Sequence, residues 1–101
     1  MTHHDLKCDP VPFAAVASGQ KLSELRFNDR DFQSGDTVTL REWDAERYRL
    51  TIDSGLPENE AACVSSSGRT LGPFTIGHVL REGYGLKEGW CMFGLMRENP
   101  A

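Results

Sequence analysis

Cysteine is scarce and scattered in this sequence of 101 residues: Cys8, Cys63 and Cys91 stand far apart, with no CxxC pair. That spacing excludes a disulfide scaffold and a zinc ribbon. The thiols read as reduced groups of a cytoplasmic protein, with Cys8 and Cys91 as small core residues. No apolar run approaches the roughly 20 residues needed to cross a bilayer. No charged-then-apolar leader opens the chain, so no membrane partner is expected. Positive charge is also short: 11 Lys and Arg face 15 Asp and Glu, for a net charge of −4. A broad grip on extended duplex DNA or RNA needs many more cations. A small basic pocket on an acidic surface stays open. His3 and His4 sit together near the terminus, where they read as exposed polar residues and not as a closed metal site. Neither a metal nor a cofactor is expected.

What is present is ordinary for a globular chain, with 39% hydrophobic and 26% charged residues. The length suits one domain spanning 1–101. Alternation predicts a first strand over His4–Cys8, with Leu6 and Cys8 on one face. Asp9-Pro10-Val11-Pro12 predicts a helix start, with Asp9 as cap and the prolines in the first turn. Phe13, Val16 and Ala17 share one helical face, and Gly19 stops the helix. Leu22–Asn28 reads as a strand, with Leu25 and Phe27 anchoring the core and Glu24, Arg26 and Asn28 on the opposite face. Ser34-Gly35-Asp36 is a turn.

Thr37–Trp43 is the clearest strand, with β-branched residues prominent. Tyr48–Ile52 reads as its hairpin partner. Residues 53–69 are rich in Gly, Pro, Asn and Ser and read as a long surface loop, with one short turn of helix as an alternative at Ala61–Val64. Phe74–Leu80 returns to strand, with His78 on its apolar face as a hydrogen-bonded core histidine. Trp90–Arg97 is apolar on both faces and so is a central strand. The expected fold is α+β and mainly β: a small curved barrel of five to six strands with a short N-terminal helix at its side.

One charged stretch needs its own account. GQKLSELRFNDRDF, from Gly19 to Phe32, places Lys21, Glu24 and Arg26 around the start of a strand. A solvated surface pair is one reading and contributes little. A cleft is the other: Lys supplies a mobile cation, Arg a planar fork for phosphate or carboxylate, and Glu an acceptor or general base. Arg30 reads either as a turn residue paired with a neighbouring Asp or as a ligand contact. Trp43 and Tyr84 are the aromatic residues placed to stack on a base, a contact of about 1–3 kcal/mol, or else part of the core.

The pattern Gly19-x-Lys21-x-x-Glu24-x-Arg26, after a short helix and into a strand, resembles the signature of the ASCH superfamily, small barrels related to PUA domains. LKCDPVPF, ELRFNDRDF, GDTVTLREWD and GYGLKEGW together resemble a branch of unknown function found in bacteriophages and prophages. The resemblance implies a PUA-like barrel with a cleft for single-stranded RNA or a nucleotide-like ligand, faced by Lys21, Glu24 and Arg26. An acetylcytidine amidohydrolase of this type uses a Lys, a Thr and a Glu. Its Lys matches Lys21, but its Thr falls at Glu24, and Ser23 projects to the other face. An RNA- or nucleotide-binding module is therefore the first expectation. A hydrolase of a modified nucleoside with Lys21 and Glu24 as its acid–base pair is the second. The third is a phage protein that binds a host protein, for which an acidic surface is suited.

Overall fold

The computed structural model describes residues 1–81, 83 and 85–97. Among the described residues five strands and three helices follow one another as β1 (His3–Cys8), α1 (Pro10–Ala17), β2 (Ser23–Phe27), β3 (Thr37–Trp43), α2 (Ala45–Asp53), α3 (Glu58–Ser65), β4 (Ser66–Leu80) and β5 (Trp90–Arg97). The strands form one sheet in the order β1-β3-β4-β5-β2, curled into a half-barrel. Only the β1–β3 pair is parallel. The small α+β curved barrel expected from the alternation is thus the fold observed.

The concave side holds the core. His4, Leu6 and Cys8 of β1 point inward in strict alternation, as do Val38 and Leu40 of β3 and Cys91, Phe93 and Leu95 of β5. Helix α1 closes the concavity with Phe13 and Val16. Ser18 is its C-cap, and Gly19 follows at φ +83°, a conformation that costs glycine nothing. The backbone N–H of Lys21 then donates to the Ala15 carbonyl at 3.0 Å, tying the helix–strand junction down. Asp9 is the N-cap by position, but its side chain does not cap α1. Its Oδ1 accepts from the Ala45 N–H at 3.2 Å and joins the starts of α1 and α2.

Several local expectations are overturned. Residues 48–52 are helical, inside α2. Asp44 caps that helix by accepting from the Arg47 N–H at 3.0 Å, and this start signal outweighs the β-forming character of Tyr48, Thr51 and Ile52. The stretch 53–69 is no long loop: after the end of α2 and a short connection at 54–57 it folds as α3, which contains the helical alternative at Ala61–Val64, and the first residues of β4. Pro57 precedes α3, and Glu58 and Glu60 lie in its first turn, where acidic groups suit the helix dipole. His4 is buried, and its Nε2 lies 2.9 Å from Asp36 Oδ2, with Phe32 packed edge-on at 4.7 Å. His78 is exposed, because the β4–β5 register shifts between Ile76 and Val79 and breaks the alternation.

The main correction concerns β2. Its two faces are those the alternation gives, but their sides are exchanged. Glu24 is 3% exposed, while Leu25 and Phe27 are 51% and 55% exposed. On the inner face Glu24 sits opposite Phe93 and Arg26 opposite Cys91. On the outer face Leu25 sits opposite Met92 and Phe27 opposite Trp90. Leu25 and Phe27 therefore do not anchor the core.

Candidate functional site

Among the described residues the half-barrel has two free strand edges, β1 and β2, and no ladder joins them. Arginine side chains bridge the seam instead. Arg26 Nη2 donates to the Lys7 carbonyl, and Arg30 Nη1 donates to the Asp5 carbonyl at 3.0 Å. Residues 5 and 7 are two apart, so their carbonyls share one edge of β1. The guanidinium groups satisfy acceptors that a closing strand would otherwise take.

Between these edges lies a cleft of about 420 Å³, walled by β1, the α1–β2 junction, β2 and the turn after it. That volume falls in the range of about 300–1,000 Å³ found for small-ligand sites. Glu24 lies at its floor. Lys21 Nζ donates to Glu24 Oε1 at 2.7 Å, and Arg26 Nε donates to Oε2 at 2.8 Å. The carboxylate is buried, whereas Lys21 and Arg26 keep about a third and a quarter of their side chains exposed. Each cation thus has one foot on Glu24 and one side in solvent. Lys21 uses one of its ammonium hydrogens on Glu24. Arg26 uses its Nε hydrogen on Glu24 and one Nη2 hydrogen on Lys7. Both keep N–H groups for a further acceptor.

Arg30 reaches the cleft wall through the turn 28–32. Asn28 Oδ1 accepts from the Phe32 N–H at 3.0 Å, and Asp31 takes a left-handed φ of +48°, which a short polar side chain tolerates. Phe32 then sinks into the core against Phe93, with ring centroids 4.8 Å apart. Arg30 pairs with no neighbouring aspartate; its partner is the β1 carbonyl. Trp43 does not line the cleft. It packs on Tyr48 with centroids 5.2 Å apart, and Lys7 lies over its ring at 4.1 Å. Tyr84 lies outside the described residues.

Among the wall residues that the sequence reading did not assign to a site are Lys7, Cys8, Asp9 and Trp90. They come from β1, the α1 start and β5, which meet β2 only through the curl of the sheet. Cys8 did carry a signal, since its inward parity was legible. Burial pushes its thiol above the usual range, and Glu24 adds to the rise while Lys21 and Arg26 oppose it. Among the described residues no group of His, Cys, Asp and Glu side chains is placed to hold a metal ion. No helix among them is long and apolar enough to cross a membrane.

Fold and cleft together define a class: a small curled α+β barrel whose seam holds a buried glutamate clasped by a lysine and an arginine. The family model described as "Domain of unknown function (DUF3850)" matches residues 3–95, and the chain belongs to that family. Over 40 residues the chain is 40% identical to the "Uncharacterized 12.9 kDa protein in GpA 3'region" of Escherichia phage P2. This stretch is 40% of the chain and spans 37% of the phage protein's length.

Proposed function

We propose that the seam cleft binds a nucleotide or a short single-stranded RNA, as an ASCH-type, PUA-like module. The carrying observation is that Lys21 and Arg26 converge on one buried carboxylate while keeping donors turned to the cavity. Glu24 fixes both cations in advance, so a phosphate would meet donors already in position. The likeness to a phage P2 protein supports a phage- or prophage-encoded accessory role. The acidic total limits the ligand to something small enough for the local cations to hold.

Binding is favoured over hydrolysis by the state of Glu24. Both of its oxygens accept from cations, so a substrate proton would have to displace one of them before Glu24 could act as base. Titration calorimetry with the four ribonucleoside monophosphates and short RNAs tests the proposal. Lys21→Ala with Arg26→Ala should weaken binding at least about tenfold. Undiminished binding in that double variant removes the site. Turnover of an acylated nucleoside that is lost in Glu24→Gln would favour the hydrolase instead.

A further inference from the structure

The outer face of β2 and the start of β5 leave Leu25, Phe27 and Trp90 open to solvent. These side chains also line the rim of the charged cleft. Trp90 lines two smaller hollows besides. One, of about 290 Å³, includes Leu25, Leu86 and Lys87; the other, of about 230 Å³, includes Phe27, Asn28 and Arg81. The cleft therefore runs without a break onto an aromatic shelf flanked by two cations.

The shelf is held in place. Phe27 meets Trp90 edge-on, with centroids 6.1 Å apart and ring planes at 73°. The Phe27 ring lies against the backbone of Gly89, where an added Cβ would stand 2.7 Å from Cε2. The Asn28 N–H donates to the Gly89 carbonyl at 2.8 Å, and the Trp90 N–H to the Lys87 carbonyl at 3.0 Å. An exposed aromatic surface fixed in this way loses little freedom on binding. Arg81 uses one Nη2 hydrogen on the Phe32 carbonyl and keeps others. An exposed aromatic side chain beside cations is the combination that proteins offer to single-stranded nucleic acid, stacking for the base and charge for the backbone.

We infer that Trp90 is a stacking subsite for a second nucleotide. One nucleotide of a short single-stranded RNA occupies the charged cleft, and the base of its neighbour lies on Trp90, with Lys87 meeting the linking phosphate. This rests on the nucleotide reading of the cleft and adds a ligand length to it.

The test compares the four ribonucleoside monophosphates with the four homotetraribonucleotides, by calorimetry and Trp fluorescence. Wild type should hold its preferred tetranucleotide about tenfold tighter than the monomer, and Trp90→Ala should abolish that gain. Because Trp90 also lines the cleft wall, the readout is the ratio of tetranucleotide to monomer affinity, and Trp90→Phe should keep most of that ratio. Lys87→Glu, an exposed change that leaves the fold alone, should cut tetranucleotide binding about fivefold and spare the monomer. Monomer binding with no gain from length overturns the subsite and leaves the cleft standing. No binding of any probe removes the cleft and the subsite together. Equal weakening of both ligands in Trp90→Ala shows that Trp90 acts through the cleft, and overturns the inference. So does a wild-type dimer in sedimentation that Trp90→Ala splits, because a second copy then covers the shelf.

Discussion

Strands β2 and β3 both alternate apolar and polar residues, yet they face opposite ways. In β3, Val38 and Leu40 point into the core. In β2 the inward residue is Glu24, and the apolar pair Leu25 and Phe27 points out. Position explains the difference. Strand β3 lies between β1 and β4, beneath α1, and its inward residues pack into the hydrophobic core. Strand β2 is an edge beside an open seam, where Lys21 and Arg26 reach its inner face. A buried carboxylate is tolerable only with such partners. Period-2 alternation separates two faces but does not say which is inside.

The contrast can be broken most sharply in β3. Leu40→Ala should lower unfolding stability by about 2–5 kcal/mol, as a fully buried leucine does when a cavity replaces it. Urea unfolding monitored by circular dichroism reads this directly. Glu24→Ala comes next. It strips both cations of their shared partner and should cost about 2–3 kcal/mol, below the ~3–5 kcal/mol of a fully buried pair because both cations reach water. A stabilised Glu24→Ala protein would show that the glutamate is kept at a cost to the fold, for function alone.

Asp36 gives a smaller effect with a pH signature. Its hydrogen bond with His4 holds the carboxyl below the ordinary value of 3.8. Burial opposes this, and the Thr2 and Gln33 N–H groups assist it. A folded pKa below the unfolded one stabilises the protein above the unfolded value, and the contribution fades as pH falls through the folded value. Asp36→Asn should therefore cost about 1–3 kcal/mol at neutral pH. Thermal melts from about pH 5 to pH 3 should fall less steeply for it than for wild type. The mildest change is Leu25→Ala, expected within about 0.5 kcal/mol of wild type. A loss comparable to that of Leu40→Ala would mean that the outer face of β2 is covered in solution.

Strands β3 and β5 could be read to the residue, Thr37–Trp43 and Trp90–Arg97: β3 through its β-branched residues alternating with polar ones, β5 as a short run apolar on both faces. The helix at 45–53 was hidden by Tyr48, Thr51 and Ile52, although Asp44 stood at its start with Ala45 and Glu46 behind it. Lys21, Glu24 and Arg26 are close in sequence, so local spacing was enough to group them, and they do meet. Lys7, Cys8 and Trp90 join them only through the order of strands in the sheet. Trp43 was misplaced for the same reason: no local signal shows that it turns toward α2 and not toward the seam.

The helical pair α2–α3 leaves and rejoins the sheet at one point. Trp43 is paired with Ser66, and the Asp44 N–H donates to the Ser65 carbonyl at 2.9 Å. Helix α2 buries none of its residues. The pair is thus an excursion from a hairpin, with both ends rooted in the same rung of the ladder. Such an excursion can lengthen, shrink or be exchanged without re-registering a strand. A change of length in the connection between α2 and α3 should therefore leave the seam and its three charges in place.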